Sequence, residues 1–446
     1  MLFTGSMIRL AVQLIILVFF SRHLLVNDYG LFQAVFLFLN LFGIITLFGL
    51  PSVILSIPGN NIWEWVRKNK KWVVLFAVLL YGAAILFLIF SNTGYNLSLC
   101  SLLFLGLLVQ NFAAISESLA IRNNRITSLF YINLLFNALW LGAHLGLLFY
   151  NYSLPLLVIL IIFSYLIKAV LTVCLKPHHR SDIQTNTVAS QWLWLGMFDV
   201  VSALFKWIDK WVILVFISVG QFAIYFNGAY EIPLFALMVS AVGSVLIVEF
   251  TQKDIDNTRR TALFNHAVKM LSSVVIPIFC FLLFFYKPIF LWVFGQKYAP
   301  ALPIFFVSLW ILPVRIGNFT AALQALQRSD LIFKGACLDL GIALLLMPLF
   351  YPWLGLPGIA LAFVISTWIQ ATFYIHHTSK LMNIHVFHYF PIKFLFVLLI
   401  TCLLIQATLS IFNSYLPSMI WMWVSLALSS IIALWLLFKN RIGIIE

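Results

Sequence analysis

Charge is the scarcest property of this 446-residue sequence. Asp, Glu, Lys and Arg make up 9% of it, against roughly 25% in soluble domains, so a water-soluble fold is excluded. Acidic residues are scarcer still, 13 against 26 Lys and Arg. Cysteine is limited to Cys100, Cys174, Cys280, Cys337 and Cys402. These are scattered through apolar segments with no CxxC spacing, which excludes a disulfide framework or a thiolate metal cluster and leaves small core residues. No Gly-x-x-x-x-Gly-Lys-Ser/Thr loop, nucleophile elbow or His-Glu-x-x-His motif occurs, so there is no apparatus for ATP-driven or hydrolytic chemistry. His376, His377, His385 and His388 flank one loop but lack acidic or Cys partners, and no metal site is expected. The net charge of +13 has no aromatic-basic module beside it, so nucleic acid is not a partner. The N-terminus lacks a basic region and a small-residue cleavage site, and its first apolar segment reads as a retained span.

What is present is apolar sequence. The hydrophobic fraction is 63%, enough to fill roughly fourteen spans of about 20 residues. Continuous runs such as Leu156–Phe163 and Phe394–Ile400 lack the alternation of a β-barrel. The expected fold is therefore an all-α polytopic membrane protein with about 14 transmembrane helices. The segments fall at about 5–23, 30–57, 72–91, 96–119, 128–150, 153–175, 192–217, 221–249, 266–286, 300–323, 332–351, 354–376, 391–412 and 418–438. Lys and Arg crowd alternate loops: Arg67, Lys68, Lys70 and Lys71, then Arg122 and Arg125, Lys176 and Arg180, Lys253, Arg259, Arg260 and Lys269, Arg328 and Lys334, Lys380 and Lys393, and finally Lys439 and Arg441. The opposite side holds Arg22, Lys287 and Lys297. This bias puts the crowded side and both termini in the cytoplasm. Trp63, Trp65, Trp72, Trp192, Trp194, Trp421 and Trp423 read as interfacial anchors. Every loop is short, and no catalytic ectodomain fits.

The chain also repeats. Val26-Asn27-Asp28-Tyr29-Gly30-Leu31-Phe32 follows the first span, and Phe216-Ile217-Ser218-Val219-Gly220-Gln221-Phe222 follows the seventh. Both set a Gly two residues before a Phe in what reads as a tight outer turn. Two parallel six-span halves result, of the kind that hold substrate between them. The expected domains are a six-helix lobe at 1–176, a cytoplasmic linker at 177–191, a second six-helix lobe at 192–378, and two further spans with a short tail at 379–446.

Ionisable residues within spans are costly and are functional candidates. At 100° per residue, Asp199, Lys206 and Lys210 form one stripe on span 7, with Asp209 nearby. Two ammonium groups near mid-membrane suit an anion-receiving cavity, or Lys206 pairs with Asp209 at i,i+3 as a structural bridge. Arg9 occupies the equivalent helix of the first half, and Arg315 lies between Pro313 and Gly317 in a span expected to be distorted. Glu117, Asp199, Asp209, Glu231 and Asp339 are candidates for proton or sodium coupling, or for charge partners. Lys168 is expected to snorkel to the interface. Asn133, Asn137, Trp140 and His144 share a stripe of span 5 and are cavity-lining or helix-joining candidates.

With these residues in view, the chain resembles the polysaccharide-repeat-unit flippases, the O-antigen (Wzx-type) branch of the multidrug/oligosaccharidyl-lipid/polysaccharide exporter superfamily. The likeness rests on Asn27-Asp28-Tyr29-Gly30-Leu31-Phe32, on Lys206-Trp207-Ile208-Asp209-Lys210-Trp211-Val212-Ile213 leading to Val219-Gly220-Gln221-Phe222 and Gly228-Ala229-Tyr230, and on Met347-Pro348 before Gly355-Leu356-Pro357-Gly358-Ile359-Ala360. It implies two MATE-like lobes plus two terminal helices in a bacterial inner membrane. It implies a non-enzymatic flippase that moves polyprenyl-diphosphate-linked oligosaccharide by alternating access around a cationic cleft. Arg9, Lys206, Lys210 and Arg315 are the expected substrate contacts. No cofactor is expected beyond an ion gradient. Membrane lipids, and the polymerase and chain-length regulator of the same pathway, are the implied partners. Two rivals compete. A cation exporter of the same superfamily calls for an acidic cavity, and a polysaccharide polymerase calls for a large outer loop or outward-facing acids.

Overall fold

The computed structural model describes residues 2–56, 69–91, 93–123, 125–150, 152–175, 188–251, 256–411 and 418–442. The basic residues Arg67, Lys68, Lys176, Arg180 and Lys253, the tryptophans Trp63 and Trp65, and linker residues 177–187 lie outside this set, as do the side chains of Lys439 and Arg441. The described residues contain helices and no strand, and twelve helices are long and apolar enough to cross a membrane. Two further helices have sufficient length, Leu2–His23 and Val188–Phe216. The second carries the polar stripe of span 7, which lowers its hydropathy.

The chain forms two compact units, Met1–Phe226 and Asn227–Glu446. The first unit holds α1 (Leu2–His23), α2 (Val26–Ile45), α3 (Leu50–Ser56), α4 (Lys70–Phe90), α5 (Leu97–Arg122), α6 (Ile126–Tyr150), α7 (Leu154–Val173), α8 (Val188–Phe216) and most of α9 (Val219–Gly228). Here α5 packs on α7, α6 on α1 and α7, and α2 and α3 on α5 and α8. The first motif opens α2 at Val26, whereas the second runs from the end of α8 across the break at Ile217–Ser218 and opens α9 at Val219, so both glycines lie in helix rather than in a turn. The two motifs meet: a Cβ on Gly30 would fall 2.5 Å from the Val219 carbonyl, and one on Gly220 would fall 2.9 Å from Asn27 Oδ1. Only glycine allows so close an approach.

Span 2 reads as one apolar run but is two helices. Phe48 (φ 42) and Gly49 (φ 74) adopt left-handed backbone between α2 and α3, which α-helix cannot propagate. The Phe48 ring packs 5.2 Å from Phe76 and 5.3 Å from Trp192. Trp192 is therefore a core residue rather than an interfacial anchor: it is buried with Phe48, Val53 and Ile54. Trp72, Trp194 and Trp423 are exposed.

The second unit holds α10 (Pro233–Phe250), α11 (Asn257–Phe294), α12 (Leu302–Ser308), α13 (Ala321–Ala325), α14 (Ser329–Leu354), α15 (Leu356–Leu381), α16 (Val386–Tyr389), α17 (Ile392–Ile411) and α18 (Ser418–Ile442). Tight 3-10 turns cover Gln296–Ala301 and Leu309–Ile316. The 38-residue α11 is a post against which α17, α18 and the second 3-10 segment pack. It bends at Phe285 (φ −112, ψ 17), because Pro288 has no N–H and clashes with the preceding turn. Gly355 (φ 64) alone separates α14 from α15, which makes them a tight antiparallel pair.

Span 8, expected to be continuous, and span 10, expected to be distorted around Pro313 and Gly317, are both interrupted. Span 8 breaks between Gly228 and Pro233, and span 10 alternates 3-10 and α turns around Pro300, Pro303 and Pro313. Proline supplies the physical cause in both, by removing a backbone donor from the ladder. Spans 2 and 8 hold corresponding positions in the repeat, and interrupted helices at corresponding positions mark binding regions in repeat-built transporters.

Candidate functional site

The stripe of α8 is built around a buried carboxylate. Asp209 is 1% exposed. Its Oδ2 accepts a hydrogen bond from Tyr225 Oη of α9 at 3.0 Å and lies 3.1 Å from Lys210 Nζ. Lys210, adjacent to Asp209 in sequence, thus engages the carboxylate directly. Tyr225 fixes the carboxylate on the side from which Lys210 reaches it. Lys206 Nζ and Lys210 Nζ stand 5.2 and 5.8 Å from the Trp207 ring, within cation–π range. Lys206 is exposed and Asp199 is half-buried. The two ammonium groups thus share the Trp207 ring, and Lys210 is also held by Asp209.

A second polar group lies in the first unit. Arg9 and Gln13 of α1, Asn40 of α2, Gln110 of α5, Asn137 of α6 and Tyr165 of α7 line a cavity of about 30 Å³. Beside it, Glu117 Oε2 lies 2.7 Å from Lys168 Nζ, and Asn133 Nδ2 donates to Glu117 Oε1 at 2.9 Å. The Arg9 charge acts on both members of that pair. Lys168 is 6% exposed. It does not snorkel, because Glu117 on the neighbouring helix answers its charge inside the unit. Of the span 5 stripe, Asn137 lines the cavity and Asn133 holds Glu117. His144 is fully buried, its Nδ1 is 2.7 Å from the Trp140 carbonyl, and its ring packs among Phe20, Phe32 and Phe36.

The second unit holds the remaining candidates. Arg315 leaves the interrupted span 10 with non-helical backbone (ψ 20). Its Nη2 lies 2.7 Å from Glu231 Oε2 in the break of span 8. The ion pair therefore ties two helix interruptions together beside a cavity of about 20 Å³ lined by Tyr230, Ser308 and Leu312. Asp339 of α14 is fully buried near Ser366, whose hydroxyl donates to the Phe363 carbonyl. Among the described residues neither Asp339 oxygen has a hydrogen-bond partner with good geometry.

Several lining residues escaped the sequence reading: Gln13, Asn40, Gln110, Tyr165 and Tyr225. Asn40 and Gln110 carried a signal, being polar side chains inside apolar runs. Tyr225 carried none, since a tyrosine in a span is unexceptional until an acid is found opposite it. Among the described residues, no group of His, Cys, Asp or Glu is arranged to hold a metal.

A family model described as "Polysaccharide biosynthesis protein" matches residues 19–303. No curated protein matches at a significant level. A solved structure described as the lipid II flippase MurJ in an inward closed conformation is similar, with a TM-score of 0.78 over 99% of this chain and 99% of that one. The identity is 15%, so the likeness is one of fold.

Proposed function

Because the chain belongs to the polysaccharide biosynthesis protein family, we propose that it is a flippase for polyprenyl-diphosphate-linked oligosaccharide. It serves the synthesis of O-antigen or another surface polysaccharide from the bacterial inner membrane. The observation that carries this reading is the cationic cluster of α8, held in place by one buried acid. A diphosphate carries more than one negative charge, and two ammonium groups set one turn apart on one helix offer it charge-assisted hydrogen bonds. An exporter of cations gains nothing from such a cluster.

In this mechanism Lys206 and Lys210 take the diphosphate, and binding draws Lys210 away from Asp209. Asp209 then remains bonded to Tyr225, so its charge is not stranded. Arg9, with Asn137 beside it, offers hydrogen bonds to a sugar or phosphate oxygen. Arg315 exchanges Glu231 for a substrate anion. The lipid tail stays in the bilayer, and the two six-span halves expose the headgroup alternately to each side. Asp339 is the acid best suited to carry a coupling proton or sodium ion, since its burial makes the lone charged form costly.

The test is deletion of the gene in its native host, followed by treatment with a membrane-impermeant glycosidase. Complete single repeat units on polyprenyl diphosphate should accumulate on the cytoplasmic face, with surface polysaccharide lost. Accumulation on the outer face instead would assign the chain to polymerisation, and an intact surface glycan would remove it from the pathway.

A further inference from the structure

Basic residues of the second unit converge at one end of the α14–α15 pair. The register of these helices is set by Tyr374, whose Oη donates to the Ile332 carbonyl at 2.9 Å, and by Gly335, where a Cβ would strike the Tyr374 ring. Gln370 Nε2 adds a bond to the Gly335 carbonyl at 3.2 Å. This antiparallel register brings the start of α14 beside the end of α15. Arg328 and Lys334 therefore share that end with His376, His377 and Lys380, all within electrostatic reach of His377. Lys334, His376 and Lys380 are exposed. One acid at this end, Asp330, is engaged by Arg328 through two bonds of 2.8 and 2.9 Å. The first turn of α14 adds its positive helix dipole. Like charges drawn together on two packed helices repel one another, and an anion bound among them relieves that repulsion.

Depth identifies the anion. Each helix has 26 residues, about 39 Å at 1.5 Å per residue, against a hydrocarbon thickness of about 30 Å. Their ends thus reach headgroup level. Leu345 and Leu349 on α14 and Ile369 on α15 are exposed along the same pair, offering an apolar surface to acyl chains. We propose that Arg328, Lys334, His376, His377 and Lys380 form a site for the phosphate headgroup of an anionic membrane phospholipid. The site is separate from the groups assigned to transport, and it stands whether or not the flippase reading does.

The test is native mass spectrometry of the full chain in detergent, with phosphatidylglycerol or phosphatidylcholine added. Wild-type protein should retain phosphatidylglycerol in preference, and millimolar inorganic phosphate should not displace it. The K334Q/K380Q variant should lose that retention by about fivefold per lysine, with phosphatidylcholine binding unchanged. The K334R/K380R variant should keep it. Undiminished phosphatidylglycerol retention in the Gln variant would overturn the proposal. Equal loss in the Gln and Arg variants would assign the effect to folding and overturn it too. Displacement by inorganic phosphate would replace the lipid with a free anion.

Discussion

A lysine inside a hydrocarbon layer either reaches the headgroups or finds a carboxylate. Lys168 finds Glu117, and Lys210 finds Asp209. The cost of breaking such a pair falls mostly on the partner left behind. Lys168→Met should therefore destabilise the protein by about 3 kcal/mol, while Lys168→Met with Glu117→Gln should recover most of that loss. Thermal unfolding of both variants in one detergent checks the coupling. The α8 cluster should behave differently, since Lys206 is exposed and Lys210 lies at the edge of the pair. Lys206→Ala with Lys210→Ala should abolish export, seen as loss of surface polysaccharide, while inserted and folded protein accumulates normally. Full complementation by that double variant would remove the diphosphate site from α8.

At the scale of elements, interruption matters more than helix count. Span 2 is broken where Phe48 and Gly49 turn left-handed, and this break rests against α8: a Cβ on Gly196 would strike the Phe48 ring. Gly196→Ala should cost about 1–3 kcal/mol through overpacking, measurable as a lowered Tm. Spans 8 and 10 are broken by proline, and Arg315 and Glu231 join the breaks. That pair is 32% and 44% exposed, so it contributes at most about 1 kcal/mol to stability. Glu231→Arg and Arg315→Glu should each leave the Tm nearly unchanged yet impair export. Combining them should restore export in part if the tie between the breaks is what transport uses. The breaks were only partly legible in sequence. Pro313 flagged distortion in span 10, whereas Pro51 and Pro233 drew no such reading, since proline at a helix start is harmless. Whether a proline starts a helix or breaks one depends on what packs before it.

At the scale of the whole molecule, two compact units of similar length account for the described chain. The sequence repeat assigns span 7 to its second half, whereas α8 packs with α2 and α3 in the first unit. Repeat symmetry reports how a chain is constructed, and contact reports which helices share a core. The terminal pair α17 and α18 lies outside the repeat but covers α11, with Gln406 Nε2 donating to Ser429 Oγ at 2.9 Å between the two. Truncation before Ile392 should therefore uncover the central post of the second unit. The shortened chain is expected to aggregate in detergent, which size-exclusion chromatography would detect.

Composition and hydropathy by themselves determined the membrane class, about fourteen spans, and the short list of charged residues that must be accounted for within them. Those properties are additive along a chain: each apolar run records its own preference for lipid, and each buried charge its own cost. Partnership is not additive. That Lys210 takes Asp209, that Tyr225 completes the site, that Trp192 is core, and that Asn40 and Gln110 join Arg9 around one cavity were decided by tertiary structure. Each depends on the rotation and register of neighbouring helices. A helix in lipid can turn about its axis at little cost to its hydropathy, and only packing against another helix selects the face that its polar groups present.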